Sequence, residues 1–341
     1  MQVSFSNTFT TTVHPFPSPT TEHVCAYEIG PQNAKNALVF IGGLGDGPHT
    51  VPYPRAIAKL LEENQSLGYS VFEFRLRSSF SAFGFARLVD DVADIAALVK
   101  YVRGLGRERI VLMGHSTGCQ DCMEYTAPAH KAPPVDGYIL QAPVCDRDAL
   151  GQDGMDKLDE TIRVAKQLID AGRGHERMSL TQLPDFLKDT PISASRWYAL
   201  VAPDGEDNYF SPDLKEEVAA SYWGRVDKPL LILHSGSDEY VPDRVNKEEL
   251  VSHWRKLCKP DIASPLSGTI PGATHRVEEP EAEKWLCNTV IKFLQTKRVM
   301  VELEQWQKNE RIKLDGRIWD CYTQLASLYA VSYAGFGGHH L

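Results

Sequence analysis

The sequence predicts an α/β fold: a mostly parallel central sheet with helices on both faces and an inserted helical cap. Short apolar runs rich in Val, Ile, Leu and Phe alternate with helical patterns, which is typical of a parallel sheet buried on both faces. A long interval between two of these runs predicts the insertion. The five runs occupy residues 37–41, 70–74, 110–113, 137–140 and 230–234.

The clearest helix is predicted over residues 86–103. Apolar residues recur along it at steps of four and three, from Leu88 to Val102, and this spacing places them on one face. Asp90 near the start and Gly104 just past the end agree with the direction of the helix dipole and with a stop signal. We expect the apolar face to pack on the sheet.

Residues 145–227 form the predicted insertion, because they are too many for a single crossover helix. They contain 17 acidic and 10 basic residues, against 28 and 26 in the rest of the chain. Two interpretations of this surplus stay open: a solvated helical surface, or attraction of a cationic or amine-bearing substrate. We predict a core of residues 1–144 and 228–300, a cap of residues 145–227 and a C-terminal helical extension of residues 301–341.

Composition and charge exclude several classes of protein. The chain of 341 residues has a net charge of −9, which disfavours nucleic acid and anionic lipid as partners. Its apolar runs are far shorter than the ~20 residues of a membrane span, and its first 23 residues lack the features of a targeting signal. Seven irregularly spaced cysteines indicate reduced thiols. We expect a cytoplasmic protein without nucleic-acid or membrane partners, and the oligomeric state stays open.

A G-x-S-x-G motif follows the predicted strand 110–113. It reads GHSTG over residues 114–118 and precedes a stretch able to form a helix. A tight strand-to-helix turn would lift the Ser116 hydroxyl above the sheet, and the two glycines remove side chains that would collide there. The start of the following helix favours negative charge. The sequence therefore predicts Ser116 as a catalytic nucleophile.

Candidate partners follow Ser116 in the order acid, then histidine. Asp238 lies four residues beyond the predicted strand 230–234, so it falls at the same sheet edge as Ser116 and is the predicted acid. Its neighbour Glu239 stays open as the alternative acid. His275 ends a glycine-bearing loop after a short extended segment and is the predicted general base.

Backbone N–H groups are predicted to bind the oxyanion that forms when a serine attacks a carbonyl. One belongs to Thr117, the residue after the nucleophile. The other is assigned to Leu44, within the glycine-rich loop GGLGDG at residues 42–47. A flexible turn without a catalytic role stays open as the alternative for this loop.

Three residues are predicted to contact substrate. Gly43 lies in the glycine-rich loop, where the main chain can approach a ligand closely. His49 follows that loop and is predicted as pocket wall rather than catalyst. Ser79 follows another predicted strand end, where it would line the pocket or cap a helix.

No metal or cofactor is predicted. Cys119 and Cys122 form a C-x-x-C pair without a second Cys or His pair, so buried thiols are favoured over a redox or metal site. The glycines of residues 42–47 lack the G-x-G-x-x-G spacing of a dinucleotide site.

The candidate catalytic residues follow one another along the chain in the order Ser, acid, His. On this order, residues 20–296 resemble the α/β-hydrolase superfamily. More narrowly, GGLGDG at 42–47, SSFSAFG at 78–84 and GHSTG at 114–118 resemble the fungal SidJ-type siderophore esterases. The resemblance implies an α/β-hydrolase fold and a serine esterase that opens ester bonds of fusarinine-type hydroxamate siderophores through an acyl-enzyme. The implied partner is a small-molecule ester, a ferric siderophore, and fusarinine C has three free amines that an acidic cap would attract.

Other functions stay open beside this one. A different carboxylesterase, a lipase or a thioesterase would use the same three side chains. A ligand receptor that retained the hydrolase scaffold belongs to another class, and fold alone does not separate it from an enzyme.

Overall fold

In the part of the chain that the structure describes, the central sheet contains eight strands. The computed structural model describes residues 8–20, 23–151, 154–179, 181, 183–184, 187 and 189–310, with side chains as far as residue 296. Within this part of the chain the strands are β1 (Thr12–Phe16), β2 (Val24–Ile29), β3 (Asn36–Ile41), β4 (Tyr69–Phe74), β5 (Arg109–His115), β6 (Gly137–Gln141), β7 (Leu230–Ser235) and β8 (Gly268–Ile270). They lie in the order β1-β2-β4-β3-β5-β6-β7-β8.

The sheet is mostly parallel. All pairs from β4 through β3, β5, β6 and β7 to β8 are parallel, whereas β1 pairs with β2, and β2 with β4, in the antiparallel sense. Strands β3, β4, β6 and β7 are buried along their whole length, so both faces of the sheet are covered. The predicted α/β class is confirmed, and the five predicted strands match observed ones to within two residues at each end.

Helices connect and cover the strands. The predicted helix 86–103 is observed over Leu88–Gly104, and its apolar stripe is buried as expected. Short 3₁₀ turns occur at Gln65–Leu67, Phe80–Gly84 and Pro128–His130. The helices of the described residues are α1 (Tyr53–Glu63), α2 (Leu88–Gly104), α3 (Gly118–Tyr125), α4 (Asp146–Leu150), α5 (Met155–Asp170), α6 (Ala194–Val201), α7 (Glu216–Trp223), α8 (Lys247–Leu257) and α9 (Pro280–Glu310).

Two parts of the 145–227 segment belong to different apolar clusters. Residues up to Val201, among them Leu158 and Trp197, join a cluster that also contains Phe83. Residues from Tyr209 onward, among them Phe210 and Trp223, join the large cluster that includes residues of the sheet. Since α7 packs on α8, the last part of the predicted cap shares its core with the sheet domain.

The C-terminal part of the chain is a single long helix as far as it is described. Helix α9 runs from Pro280 to Glu310, so the predicted core boundary at residue 300 falls inside one helix. The chain divides into units of residues 1–293 and 294–341, and the second is described only as the end of α9. The rest of the predicted extension lies outside the described residues. None of the described helices combines the length and apolarity that a membrane span requires.

Candidate active site

Ser116 occupies a strained turn between β5 and α3. Its φ of 55° lies in the left-handed region, which is unusual for a residue with a side chain. A Cβ on Gly114 would lie 2.2 Å from the Gly118 carbonyl oxygen, and one on Gly118 would lie 2.3 Å from that of Ile41. The turn therefore requires both glycines of the motif.

Three predicted residues meet above this turn. The Ser116 hydroxyl lies 2.8 Å from Nε2 of His275, and Nδ1 of His275 lies 2.8 Å from Oδ2 of Asp238. All three residues are buried. With Nδ1 donating to the carboxylate, Nε2 is left to accept the serine proton. Asp238 is thus the acid at Nδ1, while the carboxylate of Glu239 accepts the backbone N–H of His275 at 2.9 Å.

The glycine-rich loop after β3 lies against the nucleophile. A Cβ on Gly43 would be only 2.7 Å from Cβ of Ser116. The Gly43 N–H donates to the Asp46 carboxylate at 2.9 Å, so this amide is already engaged. Within the described residues, neither the Leu44 N–H nor the Thr117 N–H has a protein acceptor. These are the two amides that the sequence assigns to the oxyanion.

A cavity of about 290 Å³ opens over the Ser116 hydroxyl. Residues of the 145–227 segment line part of it, and residues of the loops after β3, β5 and β7 and of the His275 loop line other parts. Gly43, predicted to bind substrate, is part of its wall. The lining residues are Gly43, Leu44, Asp46, Phe83, His115, Ser116, Val144, Asp146, Ala149, Leu150, Leu187, Thr190, Tyr240, His275 and Arg276.

The other two predicted substrate-binding residues, His49 and Ser79, do not line this cavity. Nδ1 of His49 lies 3.0 Å from the buried carboxylate of Glu73, which also accepts the His49 backbone N–H at 2.8 Å. The Ser79 hydroxyl accepts the backbone N–H of Leu76 at 2.9 Å and so closes a turn. Both side chains are therefore occupied by local contacts that a motif does not reveal.

Comparison with known proteins identifies the family. A family model described as "Protein of unknown function (DUF1749)" matches residues 2–295. The chain belongs to this family. An esterase of Emericella nidulans, AN6793, is 33% identical over 324 residues, covering 76% of this chain and 86% of that protein. The fusarinine C esterase sidJ of Aspergillus fumigatus is 31% identical over 236 residues, covering 56% of this chain and 66% of that protein.

Solved structures place this DUF1749 chain in the α/β-hydrolase fold. The siderophore hydrolase EstB of Aspergillus fumigatus superposes with a TM-score of 0.72 at 27% identity, covering 86% of this chain and 99% of EstB. A protein of unknown function described as having the alpha/beta hydrolase fold superposes with a TM-score of 0.64 at 17% identity, covering 87% and 99% of the two chains. The resemblance drawn from the three motifs is thus confirmed.

The DUF1749 chain also buries a second histidine beside the first. The His115 ring lies 4.9 Å from the His275 ring, and its Nδ1 is 2.5 Å from Oε1 of Gln141, which also accepts the Tyr53 hydroxyl at 2.8 Å. Burial, with repulsion from His275, lowers the pKa of His115 to about 3, so the ring is neutral at pH 7. The place of His115 in the GHSTG motif does not predict its contact with the His275 ring.

Asp146 is a further cavity residue that sequence reasoning did not identify. It begins α4, and its carboxyl accepts a hydrogen bond from Nε2 of Gln120 at 2.6 Å. Burial raises the pKa of Asp146 to about 8, and the negative charge of Asp207 adds to this effect. A carboxyl a few residues beyond the end of β6, at the sheet edge that carries Ser116, is the pattern that could have identified it.

Proposed function

We propose that this protein is a serine esterase in which Ser116 is the nucleophile, His275 the general base and Asp238 the residue that orients the imidazole. The chain of two 2.8 Å contacts from Ser116 through His275 to Asp238 is the observation that carries the proposal. A receptor that had only kept the scaffold would have no need of this alignment.

In the proposed reaction the Ser116 oxygen attacks the ester carbonyl while Nε2 of His275 takes the hydroxyl proton. The Leu44 and Thr117 N–H groups stabilise the oxyanion of the tetrahedral intermediate. His275 then returns its proton to the leaving alcohol, which leaves an acyl group on Ser116. Water, activated by the same imidazole, releases the acid and restores the serine.

For the substrate, we propose a fusarinine-type hydroxamate siderophore. The names of two relatives, a fusarinine C esterase and a siderophore hydrolase, support this class. The acidic surplus of residues 145–227 supports it as well, since free amines on the siderophore would be attracted to that segment. The cavity lies at the lower end of the ~300–1,000 Å³ that hold drug-sized ligands, so one ester arm would enter at a time.

The proposed setting is the cytoplasm, where iron would be released by dismantling its chelator. The reduced cysteines expected from the sequence agree with this location, and six cysteines of the described residues are free thiols. Because the net charge is negative and would repel polyanions, we propose no nucleic-acid or anionic-membrane partner.

A covalent probe separates the enzyme from a receptor. A fluorophosphonate should label the wild-type protein at one site and should leave a folded Ser116→Ala variant unlabelled, which intact-mass spectrometry would measure. Failure of the folded wild-type protein to react would favour the receptor and overturn the esterase proposal.

A small substrate panel tests the siderophore proposal. We expect ferric fusarinine C to be hydrolysed faster than its triacetylated form and faster than a p-nitrophenyl ester, because only the first carries free amines. Chromatography of the released monomers would give the rates. Equal rates for the first two substrates would contradict the role assigned to the acidic segment and leave ester hydrolysis itself intact.

A further inference from the structure

Asp46 closes the glycine-rich loop 42–47 on itself. One carboxylate oxygen accepts the Gly43 N–H at 2.9 Å, and the other accepts the Thr50 hydroxyl at 2.8 Å. The Asp46 backbone N–H donates in turn to the Gly43 carbonyl at 3.0 Å. The path of the chain through the two intervening residues, Leu44 and Gly45, is therefore fixed at both ends by contacts of this one aspartate.

Arg276 fastens the same loop to the residue beside the proposed base. It directly follows His275 in the chain, and its guanidinium donates to Asp46 Oδ1 at 3.1 Å and to the Thr50 carbonyl at 2.5 Å. Asp46 is almost fully buried, whereas the Arg276 side chain is 36% exposed. The ion pair thus joins the two loops that form adjacent parts of the cavity wall.

The arrangement decides which amide of the loop faces substrate. Because Asp46 takes the Gly43 N–H, that amide is engaged, whereas the Leu44 N–H has no acceptor among the described residues and Leu44 lines the cavity with Ser116. Oxyanion stabilisation depends on amide direction to within fractions of an ångström, since the donor must meet the oxygen as charge develops. Because the ion pair connects this loop to the His275 segment, it would hold the Leu44 N–H and the His275 imidazole in a fixed relative position.

We propose that Asp46 and Arg276 are positioning residues that hold the Leu44 N–H in the oxyanion site. This proposal rests on the proposed serine esterase mechanism. Neither residue takes part in proton transfer. Both side chains also line the cavity, but their proposed effect is on the direction of one backbone amide, so their loss should lower kcat much more than it changes KM.

Steady-state kinetics on a p-nitrophenyl ester tests the proposal. We expect Asp46→Asn and Arg276→Gln each to lower kcat about 10- to 100-fold, below the ~10²–10³ that loss of a whole oxyanion donor costs. KM should change less than about threefold. An aryl boronic acid, whose tetrahedral serine adduct places an oxygen in the same site, should bind more weakly by a factor similar to the loss of kcat. Arg276→Lys should recover part of kcat.

A matched control and a double variant make the result decisive. Arg244→Gln removes another arginine that pairs with an aspartate, Asp148, at 2.8 Å; Arg244 itself does not line the cavity, and the variant should leave kcat unchanged. The Asp46→Asn/Arg276→Gln protein should lose no more kcat than the more impaired of the two single variants does, because both residues act through one loop. If Asp46→Asn does not fold, Arg276→Gln, which alters a partly exposed side chain, carries the test alone.

Two failures are distinguishable. If the wild-type protein neither turns over the ester nor reacts with fluorophosphonate, the proposed function is wrong. If the wild-type protein is active but folded Arg276→Gln keeps full kcat and boronate affinity, or shows a raised KM with an unchanged kcat because substrate binds more weakly, the positioning role is overturned.

Discussion

His275 is held by two adjacent carboxylates that act on different parts of the residue. Asp238 contacts the imidazole through Nδ1, while Glu239 accepts the backbone N–H. The side-chain contact fixes the tautomer and stabilises the imidazolium that forms during the reaction. The backbone contact fixes only the course of the loop. The two acids that the sequence left as alternatives thus have separate structural roles.

This separation predicts unequal effects of two matched substitutions. Asp238→Asn should lower kcat by about 10⁴-fold, because an amide favours the wrong tautomer of His275. Glu239→Gln keeps an oxygen acceptor for the backbone N–H and should cost at most about tenfold, or ~1.4 kcal/mol of transition-state stabilisation. Hydrolysis of a p-nitrophenyl ester by the two purified variants would measure both. A larger loss for Glu239→Gln would exchange the assignments.

The residues of the candidate triad could be predicted because each is tied to a strand end and a chain order. His49 and Ser79 could not, since their surroundings depend on partners that no motif encodes. For His49 the partner is the buried carboxylate of Glu73, the next-to-last residue of β4. The backbone of His49 has a φ of 67°, in the left-handed region. Asp46 was visible only as a member of a glycine-rich run, and its bond to the Gly43 amide requires coordinates.

At the scale of elements, the turn between β5 and α3 depends on close backbone contact with β3. Gly118→Ala would place a methyl group 2.3 Å from the Ile41 carbonyl oxygen, and neither backbone can yield easily. We expect this variant to lose about 1–3 kcal/mol of unfolding free energy, together with most of its activity. Urea denaturation and ester hydrolysis would measure the two effects.

Gly104→Ala is the matched control, since a Cβ there has no heavy atom within 4 Å and the residue ends α2. It should be neutral, or more stable by up to ~1 kcal/mol. A Gly118→Ala protein as stable and active as Gly104→Ala would refute the packing argument.

Helix α6 is attached to the rest of the molecule through a buried ion pair. Nη1 of Arg196 contacts both carboxylate oxygens of Asp207, at 2.8 and 2.7 Å, and Nε donates to the Phe83 carbonyl at 2.9 Å. Both charged side chains are almost fully buried. Removing the guanidinium would leave a buried carboxyl without its counter-ion, which is more costly than the loss of the pair as a whole.

Arg196→Met should therefore cost about 3–5 kcal/mol of unfolding free energy in urea denaturation. Adding Asp207→Asn should restore part of this loss, because the uncompensated charge is gone. Arg163→Met, which breaks an exposed pair with Glu160 on α5, serves as control and should change stability little. A double variant no more stable than Arg196→Met would show that the side chain acts through packing alone.

At the scale of the whole molecule, the sequence predicted the parallel part of the sheet and missed its antiparallel edge. The buried strands can be recognised in the sequence as continuous apolar runs. Strand β1 cannot, because it is half exposed and carries polar residues. The division of residues 145–227 between two apolar clusters was not predicted either. Which cluster a helix joins is decided by tertiary packing, as with Trp223, which stacks on Trp254 at 5.1 Å.

Several buried acids surround Arg196 and link stability to pH. Burial raises the pKa of Asp91 to about 7 and that of Asp146 to about 8, and it also raises the pKa of Asp121 and Asp207. A folded-state pKa above the ordinary value of 3.8 means that the folded protein holds a proton which the unfolded chain has lost. Between these two pKa values, a rise in pH therefore favours unfolding.

Asp146→Asn tests this linkage, because the amide can still accept from Gln120 but cannot ionise. Between pH 6 and pH 8.5 the wild-type Tm should fall more than that of the variant, by about 2–4 °C, the shift that ~1 kcal/mol produces in a large domain. Differential scanning calorimetry in matched buffers would measure it. Asp227→Asn, which alters an exposed carboxylate, should follow the wild-type curve. Parallel curves for wild type and Asp146→Asn would mean that Asp146 is already ionised in the folded protein throughout this range.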